Sequence, residues 1–260
     1  MTAWPTALEA SITFEPAARS PYRGLVGSGA PITDEDELVQ RSIRRAVGQV
    51  RRYAVHNGLC ELMTLTYADV PSLDEVPRQV EHFWRRWRRA TGSGIRASIL
   101  VPEWGETTGR LHLHAAIGWW KELGAVEVCG RCALPALEEK RTIPPAGSLC
   151  VGCLWGHGFV GAPDEKVADP HLVARYVSKY LGKDFRGDVL GRQRYRVARG
   201  FQPHPVTLTY RTRGEARFGM YEVFGGELPA RLWSSDEVPY AMNGRIVRSS
   251  IFCEKYEWDP

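Results

Sequence analysis

The chain has 260 residues, 43% of them hydrophobic and nine of them tryptophan, which is ample for a packed core and argues against a disordered chain. A formal charge of +4 and a pI near 8.8 are only mildly basic, so net charge does not establish a nucleic-acid partner. No apolar stretch is long enough to span a bilayer and the first residues lack the basic head and apolar run of a secretory signal, so the expectation is a soluble, cytoplasmic protein without a membrane partner.

Residues 1–33 are rich in Pro, Gly, Ala and Ser without a sustained period, which predicts a loosely ordered N-terminal arm. Residues 34–57 turn helical: acidic residues open the stretch, arginines follow, and Gly58 supplies the stop. Residues 62–67, Leu-Met-Thr-Leu-Thr-Tyr, alternate and are rich in β-formers, as a central strand requires. Pro77 suits the first turn of the next helix, on which Val80, Phe83, Trp84 and Trp87 share a stripe that reads as core. Arginines bunch at Arg41, Arg44, Arg45, Arg51 and Arg52, and again at Arg85, Arg86, Arg88 and Arg89, as the polar faces of these two helices.

Two further strands, 95–101 and 110–119, form a hairpin. The second carries His112 and His114, and the period of two puts both imidazoles on one face, side by side as a metal needs. Glu103 ends the preceding strand, nine residues before the histidines, where antiparallel pairing can bring it opposite the imidazoles; Glu106, in the loop, is the reserve ligand. Two imidazoles with a carboxylate suit Mn²⁺ or another transition ion, whereas Mg²⁺ prefers oxygen.

Cys129-x-x-Cys132 and Cys150-x-x-Cys153, separated by seventeen residues, have the spacing of a four-thiolate zinc ribbon, a closed structural Zn²⁺ site at about 127–155. It reads either as a knob that contacts DNA or as a staple for a long connection. Cys60 and Cys253 carry no such pattern.

Residues 170–183 are predicted as a helix on which Tyr176, Lys179, Tyr180 and Lys183 fall within an arc of about 100°, beside the apolar arc of Val173, Val177 and Leu181. Residues 205–210 alternate as a further strand, and Asn243-Gly244 between mildly apolar runs predicts a hairpin in the C-terminal extension, 211–260. No G-x-x-x-x-G-K-[ST] phosphate loop occurs, hence no helicase motor is evident.

Three of these strings, in order, resemble the motifs of HUH endonucleases, specifically the two-tyrosine initiators of rolling-circle replication in plasmids, phages and integrative elements. They are Leu-Met-Thr-Leu-Thr-Tyr at 62–67, the His112-x-His114 strand, and Tyr-Val-Ser-Lys-Tyr-Leu-Gly-Lys at 176–183. The order β-α-β-β-α-β predicts an α+β domain over 34–210, a ferredoxin-like antiparallel sheet with helices on one face, interrupted by the zinc ribbon. The resemblance implies a site-specific, metal-dependent single-strand DNA nickase and strand transferase. Tyr176 and Tyr180 would be nucleophiles, Lys179 and Lys183 would assist, and His112, His114 and Glu103 would hold Mg²⁺ or Mn²⁺. Its implied partners are single-stranded or hairpin origin DNA and a separate host helicase. A relaxase or transposase of the same superfamily is the near alternative, and a non-catalytic zinc-ribbon DNA-binding protein the distant one. A phosphodiesterase built on two His-x-Thr/Ser motifs lacks its second motif here.

Overall fold

The structure is a computed structural model that describes residues 1–14, 35–92, 96–118, 150–161, 169–182, 194–234, 240–242, 245–247 and 252–257. In chain order its elements are β1 (Thr2–Trp4), β2 (Glu9–Phe14), α1 (Glu35–His56), β3 (Glu61–Tyr67), α2 (Val76–Thr91), β4 (Ile99–Trp104), β5 (Leu111–Ile117), α3 (Val151–Trp155), β6 (Gly158–Gly161), α4 (Pro170–Ser178), β7 (Arg196–Val197), β8 (Val206–Thr207), α5 (Arg213–Val223), β9 (Arg231–Ser234), β10 (Tyr240–Met242), β11 (Arg245–Val247) and β12 (Phe252–Glu257). Short 3-10 turns occupy Pro5–Ala7 and Lys179–Gly182. The chain divides into one unit of Ser42–Gln202 and another formed by Met1–Arg41 with Pro203–Pro260. The protein is α+β, with two five-stranded antiparallel sheets.

In the Ser42–Gln202 unit the strand order is β6-β3-β5-β4-β7. On β3, Met63, Leu65 and Tyr67 point to one face and Leu62, Thr64 and Thr66 to the other, following the period of two. Against the first face pack Val76, Val80, Phe83 and Trp87 of α2 together with Val151 and Trp155 of α3, all at most 1% exposed. Full burial of Val76, Val80 or Phe83 stabilises the fold by about 1.5–3 kcal/mol each relative to exposure. Against the second face pack Ala46, Val50, Tyr53 and Ala54 of α1 and Val173, Ala174 and Val177 of α4.

The helices therefore cover both faces, which corrects the expectation of one helical face. The physical reason lies in β5, where Leu111, Leu113, Ala115 and Ile117 are buried on one parity and His114 and Ala116 on the other. A sheet buried on both sides needs a layer on each.

A second correction concerns the strand predicted at 205–210. Val206–Thr207 forms a strand that pairs with β1 in the other sheet, and Leu208 exchanges backbone hydrogen bonds with Met1. Next to β3 stands β6 instead, admitted by Gly158, whose φ of 154° and lack of a side chain allow an approach that would put a Cβ 2.3 Å from the Thr66 carbonyl oxygen. The predicted hairpin strands shift to Ile99–Trp104 and Leu111–Ile117. The predicted 170–183 helix is α-helical only to Ser178 and tightens to a 3-10 turn.

In the other unit the order is β8-β1-β2-β12-β9. Part of the N-terminal segment expected to be loose is thus sheet: β2 pairs β12 from Glu9↔Glu257 to Phe14↔Phe252. Ala3, Ala10, Ile12 and Tyr256 form its core with Ala216 and Met220 of α5. A capping box, with Thr212 accepting from the Glu215 amide at 3.1 Å and Glu215 accepting from the Thr212 amide at 3.3 Å, starts α5. The hairpin predicted around Asn243-Gly244 corresponds to the β10 and β11 pair, its two turn residues lying outside the described residues. Residues 15–34, and with them the rest of the arm, lie outside as well.

Candidate active site

Antiparallel register assembles a polar patch on the second face of the Ser42–Gln202 sheet. Thr64 stands opposite His114, Thr66 opposite His112, and Glu103 opposite His112 on the other side. Thr66 Oγ1 lies 2.9 Å from His112 Nδ1 and Thr64 Oγ1 lies 3.2 Å from His114 Nδ1. Both rings are thereby pinned through Nδ1, and because a hydroxyl both donates and accepts, it serves either ring tautomer. The Glu103 carboxylate reaches diagonally, with Oε2 at 2.6 Å from His114 Nε2.

Burial, reinforced by the Arg110 charge and opposed by Glu103, lowers the His112 pKa below the ordinary imidazole value, so the ring is neutral near pH 7. The hairpin after β4 comes close to this ring. A Cβ on Gly105 would sit 2.7 Å from His112 Nε2 and 2.9 Å from Thr108 Oγ1, so the hairpin passes this close to the ring because residue 105 carries no side chain.

The tyrosine segment arrives through α4. Asp169 caps it by accepting from the His171 amide at 2.7 Å, Pro170 follows at the first helical position, and Val173, Ala174 and Val177 anchor it in the core. Docking the valines presents the phenols to the histidines. The Tyr180 ring stacks on His114 with centroids 3.8 Å apart and planes 9° apart, while Tyr176 meets the same imidazole edge to face at 6.1 Å. The two tyrosine rings are 5.5 Å apart. Burial, then a hydrogen bond with the Tyr176 hydroxyl, raises the Tyr180 pKa above the ordinary phenol value.

Of the residues singled out in the sequence, His112, His114, Glu103, Tyr176 and Tyr180 thus come together. Lys179 is exposed, with Nζ 5.7 Å from the centre of the Tyr176 ring. Glu106 is exposed in the hairpin loop. Lys183, Cys129 and Cys132 lie outside the described residues. Cys150 is buried and Cys153 exposed, and the Cys153 amide donates to Cys150 Sγ at 3.4 Å.

Sequence reasoning missed three contributors. Thr64 and Thr66 could have been found as a Thr-x-Thr of matching parity on the strand adjoining His-x-His. Nothing in the sequence marks Gly105, whose importance depends on how close the hairpin passes to His112. Arg110, exposed and acting electrostatically on His112, is a fourth residue beside the patch.

Two imidazoles and a carboxylate are donor types that divalent transition ions accept. With both Nδ1 atoms engaged by threonine, each ring turns its Nε2 away from β3, and that of His114 already meets the Glu103 carboxylate at 2.6 Å. Among the described residues no three such side chains already form a cage, since Glu103 bonds His114 directly. A cation at Nε2 would take the place of that proton.

The site therefore belongs to an α+β unit that presents histidines, a carboxylate and two phenols on one sheet face. Residues 60–185, just under half of the chain, match a family model described as a replication-associated protein of the ORF2 type. The match includes β3, the histidine strand and the tyrosine segment. No curated protein and no solved structure matches the chain. Among the described residues, no helix is long and apolar enough to cross a membrane.

Proposed function

We propose that this protein is a replication initiator that nicks and rejoins single-stranded origin DNA through a 5′-phosphotyrosine, starting rolling-circle replication as a two-tyrosine HUH endonuclease. The observation that carries the reading is the Tyr180 ring lying 3.8 Å over His114, with Tyr176 beside it. The similarity of residues 60–185 to a replication-associated family supports the choice of DNA as substrate.

His112, His114 and Glu103 would hold a divalent ion, Mg²⁺ or Mn²⁺, which when bound supplies Lewis-acid neutralisation of charge on the non-bridging phosphate oxygens. Thr64 and Thr66 orient the two imidazoles, and Gly105, without a side chain, lets the hairpin pass close to one of them. A tyrosine Oη bonds to phosphorus as the P–O3′ bond breaks. The phenol gives up its proton and the departing 3′-oxygen takes one up, leaving a 5′-phosphate on tyrosine and a free 3′-hydroxyl. One phosphodiester replaces another, so the step reverses without an external energy source. A buried phenol with a raised pKa, as at Tyr180, is a weak nucleophile, so the reaction depends on activation of the phosphate, and Lys179, with Nζ 5.7 Å from the centre of the Tyr176 ring, would grip the DNA backbone beside it. Two phenols on successive turns let one hold the first 5′ end while the other cuts again.

The test is denaturing electrophoresis after incubation with a single-stranded oligonucleotide of origin sequence and Mn²⁺. The wild type should give a covalent adduct, and Tyr176→Phe with Tyr180→Phe should give none. An undiminished adduct in that double variant would refute the nucleophile assignment.

A further inference from the structure

The arginines of the two helical clusters find no use in the site above, yet two of them meet again elsewhere. A cavity of about 960 Å³ opens where the β7 edge of the sheet lies between α1 and α2. Arg45 of α1, Arg88 of α2, Arg96 before β4, and Arg194, Arg196 and Arg199 on and around β7 all line it. Among the described residues of the lining Glu81 is the one carboxylate against six arginines, which makes this part of the groove positive. Arg45, Arg196 and Arg199 are exposed. Trp84 and Tyr195, partly buried, add aromatic surface, and the Tyr195 hydroxyl donates to Gln49 Oε1, which fixes the ring. Arginines interleaved with aromatic rings in a recess suit the sugar-phosphate backbone and bases of one strand. A recess of this volume has room for a few nucleotides of one strand.

The groove is connected to the candidate active site in two ways. Strand β4 runs from Leu100, in the lining, to Glu103, about 10 Å along the backbone at ~3.3 Å per residue, the two side chains standing on opposite faces of the sheet. Arg194 Nη1 donates to the carbonyl of Leu181, the residue after Tyr180, at 3.2 Å.

We infer that this arginine groove binds the single-stranded DNA that flanks the scissile phosphate. The inference rests on the nickase reading for the identity of the polymer, and it supplies what that chemistry lacks. After cleavage one product is held by its phosphotyrosine, while the piece ending in the 3′-hydroxyl has no covalent tie. Rejoining requires that piece to be gripped by contacts alone, and a groove that shares β4 and the Tyr180 turn is placed to do so.

The experiment measures binding of a fluorescent single-stranded oligonucleotide to the full chain by anisotropy across a salt series in EDTA, so that no cleavage enters. The wild type is compared with Arg45→Ser/Arg196→Ser/Arg199→Ser, and with a charge-matched control, Arg78→Ser/Arg85→Ser/Arg211→Ser, whose three arginines are exposed outside the groove. Loss of three phosphate contacts at about 0.7 each should make the slope of log K against log salt shallower by about 2. Between about 50 and about 200 mM salt the wild type then loses roughly 15- to 20-fold more affinity than the groove variant. The control should keep the wild-type slope. Equal loss in both triples, or no change in the groove triple, would overturn the inference, as would displacement of the oligonucleotide by inorganic phosphate or a mononucleotide at matched phosphate concentration. Failure of the two readings is distinguishable: binding with this slope but no adduct in Mn²⁺ sinks the nickase and leaves the groove, whereas an adduct with an unchanged slope does the reverse.

Discussion

Substituting Gly105 by alanine adds one methyl group where the site has no room for it. The new Cβ would stand 2.7 Å from His112 Nε2, against an ordinary contact of about 3.5 Å or more, so the imidazole or the hairpin must retreat by nearly 1 Å. His112 is pinned from behind by Thr66 at 2.9 Å, which restricts the ring's escape and leaves the methyl over the nitrogen that would bind a cation. A displacement of about 1 Å at reacting groups typically costs on the order of 100-fold in rate. Gly105 has no left-handed φ, so alanine is tolerated by the backbone and itself reduces unfolded-state entropy by about 0.4–1 kcal/mol. Gly105→Ala is therefore expected to keep its thermal midpoint within about 5 °C, while adduct formation in Mn²⁺ slows by about 100-fold and Mn²⁺ affinity by calorimetry falls. Wild-type adduct rate together with wild-type Mn²⁺ affinity would show that His112 Nε2 is not where the chemistry needs access.

Three other expectations follow from the same geometry. Thr66→Val removes the hydroxyl bonded to His112 Nδ1 at nearly constant volume, and Mn²⁺ affinity should drop by about 10- to 100-fold; an unchanged calorimetric Kd would mean that the threonine does not orient the ring. Because burial lowers the His112 pKa, protons compete with a cation for its nitrogen only below the ordinary value of about 6.5. Mn²⁺ affinity should stay level as pH falls towards that value and decline beneath it, whereas a decline centred above about 7 contradicts the shift. Purified protein should carry stoichiometric zinc on Cys129, Cys132, Cys150 and Cys153, lost in Cys150→Ser/Cys153→Ser but retained in His112→Ala; metal analysis showing zinc in the cysteine variant would refute the ribbon.

The mutual placement of the candidate site's side chains was more legible in the sequence than the layers around them. His-x-His on an alternating strand fixes both rings to one face by the period of two, and the valines of α4 dictate which side of that helix docks, so Tyr176 and Tyr180 had little freedom to point elsewhere. What local pattern does not encode is partner choice among strands. Residues 205–210 alternate like a sheet strand, yet the part that pairs, Val206–Leu208, pairs with the chain's first residues and not with β3. The place beside β3 goes to Gly158–Gly161, a segment too short and too glycine-rich to announce itself. The two-sided burial of β5 was readable in hindsight, since Ala116 continues the apolar surface on the histidine parity. The N-terminal strands were hidden because their outer partners, β8 for β1 and β12 for β2, each lie more than two hundred residues away in the chain. The arginine groove likewise gathers residues from α1, α2 and β7, and only tertiary packing joins the two clusters that the sequence displays separately.

The most direct measurement takes the adduct formed with origin-sequence single-stranded DNA in Mn²⁺, digests both protein and DNA, and locates the attached nucleotide by mass spectrometry. The account predicts a 5′-phosphate linked to the peptide containing Tyr176 and Tyr180, on one or the other phenol. A nucleotide found on any other residue, or attached through a 3′-phosphate, would contradict it.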